Sequence, residues 1–164
     1  MLSDVERQAI EDEAAHSWQP AHRHDRRAAC MASLKIIQAH RGYVSDEAIQ
    51  DLAAALGMTS DEVEGVATFY SLIFRRPVGK RVLKVCDSVV CWSLAGESLM
   101  QHLERRLGIK RGETTADGRF TLLPISCLGA CEYAPVIMVN DELIYNVTLG
   151  MLDQILAGDG DAEG

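Results

Sequence analysis

The sequence predicts an α/β chain in two parts, a helical bundle followed by a small sheet flanked by helices. Three observations lead there. Up to Phe74, apolar residues recur at three- and four-residue intervals, the period of an α-helix. A stretch containing Pro77 and Gly79 then interrupts the pattern. Beyond it, short β-rich runs and helical stripes follow in the order β-α-β-β-β-α, which suits helices layered on a sheet. We therefore divide the chain into a helical domain over residues 1–76, a second domain over 80–157 and a polar tail over 158–164.

In the first part, Ser3 with Glu6 has capping-box spacing, and Thr59 with Glu62 repeats it at a later helix start. Between them Cys30, Leu34 and Ile37 share one helical face, with Ala29, Ser33 and Ile36 beside it, and Gly42 ends the helix. Ile49, Leu52, Ala53 and Leu56 form the next stripe, stopped by Gly57. Val63, Val66, Ala67, Tyr70 and Phe74 line a fourth.

In the second part, residues 81–85 form a strand that delivers Cys86 at its end. A helix over 93–107 follows, with Leu99, Met100, Leu103 and Leu107 inward. Asp117-Gly118 signals a turn ahead of a strand over 119–123. Runs at 135–139 and 142–145 flank Asn140-Asp141 as a hairpin, and Leu149, Leu152, Ile155 and Leu156 make a last helix.

Bulk properties exclude several classes of function. With 164 residues, 48% of them hydrophobic, the chain can bury a core for one domain or two small ones. Sixteen Lys and Arg against 24 Asp and Glu leave a net charge of −8. Nucleic-acid backbones and anionic lipid would repel such a surface, which leaves proteins and small molecules as partners. No run approaches the roughly 18 apolar residues of a membrane span. The opening residues lack the basic and apolar regions of a signal peptide, so we expect a soluble protein kept in a reducing compartment. Five cysteines there fit a disulfide framework poorly.

Four of the five cysteines form two pairs. Cys86 and Cys91 are spaced C-x4-C, Cys127 and Cys131 C-x3-C, and each pair falls where a strand runs out into a loop. Four thiolates are the complement of a [2Fe–2S] cluster, and a C-x4-C opening is shared with plant-type ferredoxins. The expected helix start near Ser93 would favour an anionic cluster through its dipole, and Gly129 would permit close approach. Structural zinc is the rival reading, although its pairs most often use the tighter C-x2-C. A dithiol redox site would need C-x-x-C, which is absent. We prefer the cluster, with Cys86, Cys91, Cys127 and Cys131 as ligands and Cys30, alone on an apolar helix face, as a small core residue.

Residues 85–91 (Val-Cys-Asp-Ser-Val-Val-Cys) and 127–135 (Cys-Leu-Gly-Ala-Cys-Glu-Tyr-Ala-Pro) resemble the thioredoxin-like [2Fe–2S] subunit family of respiratory complex I. Gly65-Val66-Ala67-Thr68-Phe69-Tyr70 resembles that family's signature at the end of its helical part. The likeness runs from about Ala29 to Leu156. It implies a thioredoxin-like ferredoxin domain in the second half, with the cluster at its loop end. It also implies single-electron exchange with FMN on an adjacent NADH-oxidising subunit, within a peripheral arm on the cytoplasmic side of the membrane. Similar subunits occur in NAD-linked hydrogenases and formate dehydrogenases, and a non-redox assembly module holding zinc is the alternative from another class.

No G-x-G-x-x-G follows a strand, so NADH and flavin are expected on the partner. With all-cysteine ligation we expect a low potential, nearer the roughly −400 mV of plant-type ferredoxins than that of His-ligated centres. Asp87 and Ser88, inside the first cysteine loop, either tune the cluster by hydrogen bonds or merely shape a turn. Trp92 either shields the cluster or packs at a helix start. His22 and His24 read as solvated surface rather than a metal site.

Overall fold

The computed structural model describes residues 1–16 and 26–158, and His22, His24 and the tail beyond Gly158 lie outside the described residues. The chain divides into two compact units, Met1–Pro77 and Val78–Gly164.

The first unit consists of α1 (Asp4–His16), a 3₁₀ turn (Arg26–Ala29), α2 (Cys30–Arg41), α3 (Asp46–Leu56) and α4 (Ser60–Phe69). Three of these helices begin on a hydroxyl cap. Ser3 Oγ accepts from Glu6 N–H at 3.2 Å, Ser45 Oγ from Ala48 N–H at 3.3 Å, and Thr59 Oγ1 from Glu62 N–H at 3.2 Å. The apolar stripes close one core around Ile10, Leu34, Ile37, Val44, Leu52 and Val63. Glu6 is buried at its edge and takes a two-pronged bond from Arg41, Nε to Oε1 at 2.5 Å and Nη2 to Oε2 at 2.6 Å. The Arg41 guanidinium holds the Glu6 carboxyl down at about 2, against the opposing effect of burial.

The fourth helix is shorter than its stripe predicts. It stops at Phe69, Tyr70 is extended, and Phe74 lies beyond the helix. After Tyr70 the chain turns, with Ile73 N–H donating to the Tyr70 carbonyl at 2.9 Å. Buried Ile73 takes the core contact that periodicity assigns to the aromatic residues. Phe69 and Tyr70 are left exposed, packed edge to face at 5.1 Å.

The second unit is a four-stranded mixed sheet of β1 (Arg81–Cys86), β2 (Phe120–Ile125), β3 (Ile137–Val139) and β4 (Glu142–Ile144), in the order β2-β1-β3-β4. β1 and β2 are parallel, in register from Arg81 opposite Phe120 to Cys86 opposite Ile125. β1 with β3, and β3 with β4, are antiparallel. The parallel pair needs a crossover. It contains a single turn, α5 (Val89–Cys91), a wide π-type turn (Trp92–Gly96) and α6 (Glu97–Leu107); α7 (Leu149–Ala157) closes the unit. Leu83 and Val85 point to one face of the sheet and share a core with Leu99, Met100, Leu103, Leu122, Ile137 and Leu152.

The strands of this unit are offset by a few residues from the expected runs, with β2 over Phe120–Ile125, β3 over Ile137–Val139 and β4 over Glu142–Ile144, and its helices also depart from the sequence reading. The helix expected from Ser93 begins at Glu97, because Ala95 takes φ 152 and breaks the run. Its N-terminus is therefore displaced along the chain from Cys91. Leu149, expected inward, is exposed at the first position of α7. Where β1 begins, Gly79 lies so close to the neighbouring strand that a Cβ would fall 2.8 Å from the Phe120 carbonyl carbon. Its N–H donates to buried Thr121 Oγ1 at 2.6 Å.

Candidate metal centre

Because β1 and β2 are parallel and end level, the loops leaving them emerge at the same end of the sheet. Cys86 is the last residue of β1 and Cys91 the last of α5, while Cys127 follows β2 by two residues and Cys131 opens a 3₁₀ turn. All five cysteines are free thiols. Cys86 and Cys91 are 2% and 1% exposed and pack with buried Val136. Ile125, Leu128, Ala130, Ala134 and Leu143 wall them in. Cys127 and Cys131 are exposed.

The sulfurs come in twos. Cys86 and Cys91 interact through their side chains, and the Cys127 and Cys131 sulfurs lie 3.9 Å apart. Metal–sulfur bonds of about 2.3 Å put two sulfurs of one tetrahedron roughly 3.8 Å apart, so the outer pair already has the spacing of two ligands on one metal atom. Among the described residues no group of three or more His, Cys, Asp or Glu side chains is assembled, and the structure brings the four cysteines together as two pairs. Pairs are what a two-iron unit takes, two thiolates to each iron. The donor set fits that group.

Several groups aim at the sulfurs. Gly129 N–H donates to Cys127 Sγ at 3.3 Å, and its φ of 77 is one that an L side chain resists. The Cys86 thiol donates to Ser88 Oγ at 3.4 Å. Burial opposes ionisation of Cys86, but hydrogen bonds from Ser88, from the Leu128 backbone and from Cys91 outweigh it, and the thiol lies below its ordinary value. Cys91 is raised, first by burial and then by neighbouring Cys86. Cys131 is raised by its bond to Cys127 and that group's charge, and it also feels Cys91 and Cys86, so the two pairs are within electrostatic reach of each other.

The remaining candidates separate. Cys30 lies in the core of the first unit, its thiol raised by burial. Asp87 is exposed, and its N–H donates to the Ile125 carbonyl at 2.9 Å. Trp92, the first residue of the wide turn, is 59% exposed. The sequence reading passed over the Leu128 and Gly129 amides, for which the glycine between two cysteines was the available signal.

The sequence model of the thioredoxin-like [2Fe–2S] ferredoxins matches residues 16–158. The chain belongs to this family. Among relatives, this ferredoxin is 49% identical over 142 residues to an NADH-quinone oxidoreductase subunit of Pseudomonas aeruginosa, a match covering 87% of this chain and 82% of that one. It is 46% identical over 155 residues to the like-named protein of Escherichia coli K12, covering 94% and 90%. Among solved structures, an NAD+-reducing [NiFe]-hydrogenase in its air-oxidised state superposes with a TM-score of 0.67 at 23% identity. That match covers 82% of this ferredoxin but 24% of the far longer hydrogenase chain, and it is a likeness of fold.

Proposed function

We propose that this ferredoxin is the electron-transfer subunit of an NADH-quinone oxidoreductase, and that Cys86, Cys91, Cys127 and Cys131 hold its single [2Fe–2S] cluster. The observation that carries the reading is the delivery of two thiol pairs to one end of a sheet by two parallel strands, in a chain 46% to 49% identical to named subunits of that enzyme. When bound, the group supplies one-electron exchange at its irons. The chain's own residues hold it by four sulfurs, exclude water from the Cys86 and Cys91 side, and leave the Cys127 and Cys131 side open toward a partner.

That partner is a flavin-bearing, NADH-oxidising chain of a peripheral arm on the cytoplasmic side of the membrane. No helix among the described residues is long and apolar enough to cross a membrane. Residues 80–157 hold the cluster and residues 1–76 chiefly dock the subunit, a division supported by exposed Phe69, Tyr70 and Leu72 on a unit that carries none of the four ligands.

The test is direct. Protein purified anaerobically from native cells should carry about two irons and two acid-labile sulfides per chain, bleach with dithionite and give a spin-one-half EPR signal. Alanine at any of the four ligand positions should strip or badly weaken the cluster. Zinc in place of iron, or a normal spectrum in Cys127→Ala, would sink the proposal.

A further inference from the structure

Ser88 stands at the head of α5 with φ −58 and ψ 156, where a serine hydroxyl ordinarily accepts a backbone N–H from the first turn. It makes no such bond. Ser3, Ser45, Thr59 and Thr148, heading α1, α3, α4 and α7, all do. The Ser88 hydroxyl lies instead 3.4 Å from Cys86 Sγ and also reaches the Cys91 thiol. Both sulfurs are almost completely buried, and Ser88 is half-buried beside them. A hydroxyl that could cap a helix is turned onto two sulfurs in a place where water is scarce.

We propose that Ser88 is a positioning residue for electron transfer, its hydroxyl donating to the Cys86 thiolate and thereby raising the reduction potential. This rests on the reading of those cysteines as cluster ligands. A metal-bound thiol has lost its proton, so the bond reverses: sulfur accepts and the hydroxyl donates. Reduction adds one electron and makes the sulfurs more negative, while no bond breaks and no proton moves. A donor strengthens as its acceptor gains charge, and it does so most where the local dielectric is low. The reduced state therefore gains more from Ser88 than the oxidised one. Asp87 has no such role, since it is exposed and its N–H serves the Ile125 carbonyl.

The experiment is an EPR-monitored redox titration of the full chain as wild type, Ser88→Ala and Ser88→Thr. In Ser88→Ala the ratio of reduced to oxidised protein at a fixed poise should fall by roughly threefold to tenfold, tenfold being about 59 mV for one electron. Ser88→Thr, which keeps the hydroxyl, should titrate with the wild type. One exchangeable-proton coupling of the reduced signal should be present in wild type and Ser88→Thr and missing in Ser88→Ala. An unchanged potential in Ser88→Ala with two irons still bound overturns the proposal, as does an alanine-like potential in Ser88→Thr. Loss of the cluster in Ser88→Ala also overturns it, because the hydroxyl would then hold the site together rather than tune it. Failure of the underlying reading looks different: wild type would lack the two-iron signal, or Cys86→Ala would keep it.

Discussion

A buried sulfur and an exposed one respond differently to the same substitution. Cys30→Ala removes a small apolar group from a helical core. It should cost about 1 kcal/mol in urea unfolding and leave the visible spectrum intact. Glu6 and Arg41 offer a sharper test at the same scale. Arg41→Met should cost about 2 kcal/mol at pH 7, since it removes two charge-assisted bonds and strands a buried carboxylate. The folded Glu6 value of about 2 lies below its ordinary 4.5. The stabilisation is therefore complete above pH 4.5 and is lost as pH falls from there through about 2. Urea midpoints of wild type and Arg41→Met should accordingly converge on acidification. A gap that stays constant from about pH 7 to about pH 3 would show that the charge of Glu6 is not what Arg41 stabilises.

Elements were legible wherever a stripe or a β-rich run was long enough to average over local conflict. Leu34 with Ile37, Ile49 with Leu52, and the run from Arg81 into Cys86 all lie in the elements their spacing predicts. The misses share a cause. Tyr70, Phe74 and the stretch after Cys91 are apolar and helix-compatible, but tertiary demands override the period, with Ile73 filling the core and Ala95 turning the chain. Within the site, cysteine spacing was visible and hydroxyl direction was not: Ser88 inside the first cysteine loop reads equally as a donor to the cluster or as a turn former, because spacing does not say which way its Oγ points. The β1–β2 junction yields a prediction of its own. Gly79→Ala would press a Cβ into the Arg119 and Phe120 backbone at 2.8 to 2.9 Å. Backbone cannot yield as a side-chain tip does, so this variant should lose about 1–3 kcal/mol and lower the Tm of the second unit. A Tm equal to wild type would mean that the two strands separate more readily than their register implies.

At the scale of the molecule, the second unit has its own core and contains all four proposed ligands, so holding the cluster and docking should be separable. A chain shortened to begin near Lys80 should still be coloured and reducible by dithionite, while its affinity for the flavin-bearing chain should fall at least tenfold in a binding titration. Equal affinity would assign docking to the cluster-bearing unit instead. The unequal burial of the thiols has a practical consequence for the whole chain. In cluster-free protein a small alkylating reagent should modify Cys127 and Cys131 at once, whereas Cys86, Cys91 and Cys30 should react only as their units open. When the cluster is bound, the outer two are masked as well. Mass spectrometry of the labelled peptides therefore reads two independent clocks from one sample: the outer cysteines report whether the site is filled, and the inner ones report whether each unit is folded.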